Sequence, residues 1–331
     1  MAKTHTSTKS RSARRRQTSR RTAGGAPAGK PAPKVSGGGA GAAGLPKTAA
    51  DLAALINDYT ITKQARNNQI VMRHISILAK LRDVTVAGIL IHKQLASIDA
   101  NGKRTYSPPQ PYGIEGDGDV HFSLGTKENA AHVPCEVQHG HDYLATINST
   151  IGKQVVVSGF FRCLFEHPGF AAHVDAHICE IHPVRALQLP TGTLTFDVAR
   201  PDAPAIHPWR PTVNTQDAAV QVTYDDRTDT ATFDKVHGMD TNYVQVSGTL
   251  NSIDLKKTSP EPAQCTFTSP DIAAGPIDVF CLKGTNAAGQ LELLKKGAQV
   301  DLLGLRNIDL TQVMKNRYVI NMLGIDIQAR P

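Results

Sequence analysis

Aromatic residues are scarce in this chain: 9 Phe, 7 Tyr and 1 Trp among 331 residues. A groove that grips a single strand by stacking bases needs several rings, so few positions can serve that purpose. No apolar run approaches the roughly 18 residues of a membrane-spanning helix, so no membrane partner is expected. The five cysteines (Cys135, Cys163, Cys179, Cys265 and Cys281) form no CxxC pair and no even set. That pattern excludes a zinc ribbon and a disulfide framework, and it points to reduced thiols in a cytoplasmic protein. Arg20-Arg21 is followed by TAGGAPAGKPAP rather than an apolar segment, which rules out a twin-arginine leader. HExxH, the GxSxG elbow, the P-loop and the Rossmann fingerprint are missing too, and with them the chemistries they serve.

Acidic residues are absent before Asp51, whereas eleven of the 36 Lys and Arg lie there. The remainder holds the other 25 against all 29 Asp and Glu, so the formal charge of +7 resides entirely in the N-terminal segment. Residues 1–46 run from Ser/Thr/Arg into Gly/Ala/Pro and cannot bury enough apolar surface to offset their ordering entropy. This stretch reads as a disordered basic tail. Arg11, Arg14, Arg15, Arg16, Arg20 and Arg21 make it a candidate polyanion-binding arm, because clustered arginine releases counterions from phosphate backbones. The plainer alternative is a solubilising tail.

Beyond the tail the pattern is mainly β. Leu52, Leu55, Ile56 and Tyr59 recur at helical spacing after Thr48, predicting one short N-terminal helix. Val84 to Gly88 and Val155 to Gly159 alternate and end on glycine, as do Val244 to Gly248 and Val300 to Gly304. Interior strand glycines of this kind mark bends at barrel corners. The repetition predicts a weak internal duplication of one barrel type. The expected organisation is a first five-stranded barrel with its leading helix over 47–188, a Pro-rich linker over 189–216 and a second barrel over 217–331. Trp209, in the linker, is expected to pack on a neighbouring barrel.

YVQVSGTLNSIDL, QVDLLGLRNIDL and RYVINMLGIDIQ, between Tyr243 and Gln328, resemble the first, fourth and fifth strands of an OB-fold. GDGDVHFSL, CEV and CEIHPV in the first half resemble a divergent OB-type domain of uncharacterised bacterial proteins. The resemblance implies two OB-like barrels and an oligonucleotide or oligosaccharide ligand. Tyr243, Arg306, Arg317 and Tyr318 are then the candidate nucleic-acid contacts in the second barrel. Phe267 and Phe280 read as core.

The stretch Ile114–Val184 concentrates imidazole and carboxylate groups. Asp117, Asp119 and His121 share one face of a strand, as do His173, Asp175 and His177, while Glu180 and His182 fall among apolar partners. A buried charge without a partner is costly, so three readings stand side by side. These groups form a structural polar network, a general acid–base pair, or a divalent metal site made by Asp119, His121, Glu180 and His182. No cofactor is expected beyond that divalent metal ion.

The leading expectation is a non-enzymatic nucleic-acid-binding protein, DNA or RNA, of single-strand or weak sequence preference, with the arm adding electrostatic affinity. The alternatives are a metal-dependent hydrolase of an anionic substrate using the His/carboxylate cluster, and an assembly protein, compatible with a homo-oligomer, whose arm neutralises nucleic acid.

Overall fold

The computed structural model describes residues 45–63, 68–99, 103–169, 175–198, 200–201, 205–210, 216–237, 242–259 and 261–331. The tail before residue 45, with its arginines, lies outside the described residues, as does His173.

Thr48 opens the leading helix, Ala49–Ile56, by accepting a hydrogen bond from the Asp51 amide at 3.1 Å. Leu52, Ala53 and Ile56 bury its inner face. The helix start lies so close to the strand Asp83–Ile91 (β1) that a Cβ on Gly88 would stand 2.6 Å from Ala49 Cβ. Gly88 is therefore needed for the approach of the helix. A strand, Asn68–Arg73, and one helical turn, Ile75–Leu78, follow the leading helix before β1.

After β1 come Val120–Gly125 (β2), Val133–Val137 (β3), Gln154–His167 (β4) and His177–Leu189 (β5). β1 pairs antiparallel with β2 and β2 with β3, while β3 meets β5 in parallel at Cys135 and Ile181. β5 pairs with β4, and β4 returns to β1, so the sheet closes into a five-stranded barrel. A helix, Leu144–Thr150, sits between the third and fourth strands.

The second half repeats these pairings. Its strands are Tyr243–Asp254 (β6), Ala263–Thr268 (β7), Ile277–Cys281 (β8), Gln299–Ile308 (β9) and Ile320–Ala329 (β10). β6, β7 and β8 are antiparallel neighbours; β8 and β10 run parallel, and β9 joins β10 back to β6. The helix Asn286–Leu293 again lies between the third and fourth strands. A Cβ on Gly248 would collide with the Thr268 carbonyl oxygen and stand 2.6 Å from Phe267 Cζ, which explains the glycine in the bent β6.

Segments outside the two closed sheets knit the halves together. Gly192–Thr195 extends the β5 edge and Ile206–Pro208 runs parallel to β6, so strands also form within 189–216. Trp209 is buried there, donating its amide to Gln245 O at 3.1 Å. A four-stranded sheet joins Tyr59–Thr62 and Asn68–Arg73 to Thr230–Val236 and Gln221–Asp225. No helix among the described residues is long and apolar enough to cross a membrane.

Where the two closed sheets meet, alternation in burial disappears. β4 is buried continuously from Gly159 to Phe165, and β9 from Leu302 to Ile308. A strand solvated on one face alternates, so a continuous run means both faces are covered. Phe160 of β4 clusters with Tyr243, Leu303, Leu305, Leu323 and Ile325 of the second half, forming the apolar part of this junction.

Candidate functional site

Strand register on the first barrel gathers the charged groups. His121 of β2 faces Glu136 of β3 across the antiparallel pair, and Arg162 of β4 faces Glu180 of β5. Glu180 and His182 are two residues apart on one strand and point the same way. These positions share the face of Phe160 rather than that of Phe161 and Ile181. Glu180 and His182 thus turn toward the second half of the molecule and lie within the junction.

Second-half residues complete the cluster. Arg162 Nε donates to Arg306 O at 2.9 Å, and the Cys163 amide donates to Asn307 Oδ1 at 2.8 Å. Tyr243, at the start of β6 and wholly buried, donates its hydroxyl to Asp119. The same hydroxyl accepts from Gln138 Nε2 at 2.9 Å and lies 3.0 Å from His182 Nε2. On its other edge, His182 Nδ1 is 2.9 Å from Glu136 Oε2 and 3.2 Å from Glu180 Oε1. Arg162 Nη1 reaches Glu180 Oε1 at 2.5 Å and Glu166 Oε2 at 3.1 Å. Asp119 Oδ1 accepts the His139 amide at 2.8 Å, tying in the turn that precedes residues 140–143.

Protonation follows from these neighbours. Burial raises the Asp119 carboxyl to about 8, with the Glu136 charge adding to the rise. Burial alone would lower His182, but Glu136 and Glu180 outweigh it and lift the imidazole to about 10. Burial works against ionised Glu136 and Glu180, yet His121 and His182 hold the first well below the usual carboxylate range, and Arg162 with His177 and His182 does so for the second. Tyr243 is pushed well above the usual phenol range by burial and by the carboxylates of Glu136 and Asp119. The cluster is thus a charge-compensated set: ionised Glu136 and Glu180 stand against Arg162 and protonated imidazoles, with Asp119 neutral.

Among the described residues, Asp119, Glu136 and His182 form the set whose potential ligand atoms lie within 4.8 Å of one another. Both nitrogens of His182 face oxygen acceptors, and Arg162 Nη1 lies 3.3 Å from Nδ1. A metal ligand must offer an imidazole lone pair. Here the ring is arranged to donate at both edges, and a guanidinium stands where a second cation would be repelled. Of the metal set read from sequence, Asp119, Glu180 and His182 converge in this network, while His121 sits at its edge with its side chain 32% exposed.

The candidate nucleic-acid contacts disperse. Tyr243 has no exposed face for a base. Arg306 is also interior: Nη2 pairs with Asp217 Oδ2 at 2.5 Å and the guanidinium lies 5.3 Å from the centre of the Trp209 ring. Tyr318 is half-buried, stacked on Phe165 with ring centres 6.2 Å apart. Arg317 is exposed and donates to the Gln312 side chain. Phe267 is fully buried, and Phe280 is half-buried beneath Arg82. Leu293 is the large hydrophobic residue that stands exposed among the described residues, and no aromatic joins it. Arg162 of this network leaves little signal in the sequence, since FFRCLFEH reads as an apolar strand with one surface arginine.

No family model matches this chain, and no curated protein matches it. Among solved structures, the S. pombe Stn1–Ten1 complex aligns with 37% of this chain and 78% of its own, at 12% identity and a TM-score of 0.23. Wild-type single-stranded DNA binding protein from Thermus aquaticus aligns with 76% of this chain and 93% of its own, at 10% identity and a TM-score of 0.22. A deletion mutant of the Thermus aquaticus protein aligns at the same identity and score, covering 95% of its own length. Likeness of this order carries no argument about function.

Proposed function

We propose that this is a nucleic-acid-binding protein of weak sequence preference, with affinity supplied by the basic arm, and that both closed sheets are OB-type barrels. The observation that carries the binding reading is the segregation of charge: eleven basic and no acidic residues before Asp51, and a net acidic remainder. Such an arm gains affinity by releasing counterions from a phosphate backbone, which is indifferent to base identity. Support for the barrel type comes from the strand order first-second-third-fifth-fourth in both halves, with a parallel third–fifth seam and a helix before the fourth strand. Tyr243 and Phe267 are buried and Tyr318 and Phe280 half-buried, which supports the barrels as a scaffold rather than a base-reading platform.

The test is a salt series of fluorescence-anisotropy titrations with single- and double-stranded oligonucleotides. The full chain is compared with a variant in which Arg11, Arg14, Arg15, Arg16, Arg20 and Arg21 are replaced by Gln. If all six engage single-strand phosphates, the slope of log K against log salt should fall by about 4. An unchanged slope and affinity in the variant refutes the arm's role.

A further inference from the structure

Three histidines line one cavity of about 310 Å3 beside the first barrel: His121 on β2, His167 at the end of β4 and His177 at the start of β5. Each has its Nε2 toward a different glutamate. His121 is 3.0 Å from Glu136 Oε1, His177 is 3.2 Å from Glu180 Oε2, and His167 is 3.8 Å from Glu166 Oε1. The second nitrogen of His177 is occupied, lying 2.9 Å from Asp175 O. The side chains of His121 and His167 are each 32% exposed. Carboxylates in the cavity wall are already matched: Glu115 holds Lys93 Nζ at 2.6 Å, and Asp175 accepts the Ala96 amide at 2.8 Å with His132 at 3.3 Å.

We propose that this cavity is a binding site for a phosphate-type oxyanion, held between His121 and His167. Spacing decides against a metal ion. Zinc–nitrogen bonds of about 2.0–2.1 Å bring tetrahedral ligand nitrogens to about 3.4 Å from one another. The ligand atoms of the three cavity histidines do not all lie within 4.8 Å of one another, as those of Asp119, Glu136 and His182 do. Two oxygens of one phosphate, one accepting and one donating at about 2.8 Å, accommodate ring nitrogens roughly 5–8 Å apart. A carboxylate behind the far nitrogen of a protonated imidazole, as Glu136 stands behind His121, also polarises the near N–H into a stronger donor. Glu136 holds His121 well above the usual imidazole range against the pull of burial, with Glu180 and Glu115 acting the same way, so this ring keeps a proton for the ligand. His167, facing Glu166, His177, Glu180 and His121, is lowered by burial, so its neutral ring accepts a hydrogen bond from a protonated phosphate oxygen rather than donating one. The oxyanion could belong to free phosphate, a mononucleotide or the terminal phosphate of a strand. The site is independent of the arm.

The experiment follows histidine Cε1–H resonances of the full chain by NMR, with calorimetry, at salt high enough to silence the arm. Inorganic phosphate, a nucleoside 5′-monophosphate and matched 5′-phosphorylated and 5′-hydroxyl oligonucleotides are titrated in turn. Saturable shifts of His121 and His167 with phosphate are expected, and His121→Ala or His167→Gln should weaken binding about tenfold or more, the worth of one charge-assisted hydrogen bond. The partly exposed His167 keeps the test sound if His121→Ala disturbs folding, which circular dichroism would reveal. Preference for the 5′-phosphorylated oligonucleotide assigns the ligand to strand ends, and equal binding of free phosphate and mononucleotide assigns it to small molecules. Phosphate that moves neither resonance, or equal affinity in both variants and the parent, overturns the proposal. So does stoichiometric zinc uptake by these histidines without any response to phosphate.

Discussion

Replacing Tyr243 by Phe removes a single oxygen from the junction and leaves the ring in place. That oxygen donates to Asp119 and accepts from Gln138, with His182 3.0 Å away, so three buried side chains lose a partner at once. A typical buried hydrogen bond contributes about 1 kcal/mol net, and a group left unsatisfied costs about 1–3 kcal/mol. Gln138 Oε1 already has no hydrogen-bond partner, so the local network has little slack. A loss of about 3 kcal/mol is the central expectation, less if a water fills the space. For a domain of 150–250 residues or slightly more, each kcal/mol lowers Tm by about 2–4 °C, giving a drop of about 6–12 °C. Thermal unfolding of the full chain by circular dichroism measures it. Asp119→Ala and the double variant close a cycle, and a coupling of about 1–2 kcal/mol between the two sites is expected. A Tyr243→Phe protein that melts with the parent, or a coupling indistinguishable from zero, would refute the account of the junction as a satisfied polar lock.

Other perturbations test separate parts of the account. Arg306→Lys should lower stability by about 1–3 kcal/mol through loss of the Asp217 pair and the Trp209 contact, while leaving oligonucleotide affinity unchanged; a selective loss of affinity would place Arg306 at the ligand instead. Gly248→Ala should destabilise by about 1–3 kcal/mol, because the new methyl meets the Thr268 carbonyl oxygen and the Phe267 ring; a stability gain on chemical denaturation would show that β6 can move aside. Stability should also depend on pH in a defined direction. His182, raised from 6.5 to about 10, contributes fully below pH 6.5 and loses that contribution as pH rises through 10. Asp119, raised from 3.8 to about 8, acts in the same sense over its own window, whereas the lowered Glu136 and Glu180 lose their contribution on acidification. Melting temperatures that stay level from about pH 6 to pH 10 would contradict this protonation scheme.

Strand periodicity made much of the fold legible. The valine–glycine rhythms at Val84, Val155, Val244 and Val300 each lie in a strand of a closed sheet, and Thr48 caps the short helix. The sheet that joins Asn68–Arg73 to Thr230–Val236 left no trace, because its pairing spans more than 150 residues and neither strand announces its partner. The site shows the same divide. Alternation tells which side of a strand a residue faces, but not what covers that side. Tyr243 and Arg306 look like ligand contacts when the outer face of the second barrel is taken as solvated. Once the other half covers that face, the same residues become internal partners of Asp119, Asp217 and Arg162. Glu180 and His182 posed the converse problem, since partners were needed and the sequence held too many candidates.

Charge segregation and the histidine cavity together limit what the folded body can grip. Beyond the arm the chain is net acidic, and no aromatic residue stands exposed among the described residues. A strand laid across such a surface would bring successive phosphates over carboxylates, with no ring to stack on, so each added nucleotide gains nothing. A single phosphate lodged at His121 and His167 avoids that penalty, because its partners are local and the neighbouring carboxylates are already paired. In the arm-substituted protein, affinity for 5′-phosphorylated oligonucleotides should therefore be independent of length beyond the first few nucleotides. The parent should bind longer strands more tightly at low salt, as its arm engages more of the backbone. Anisotropy titrations across a length series separate the two behaviours, and affinity that climbs with length in the arm-substituted protein would mean that the barrels track the backbone after all.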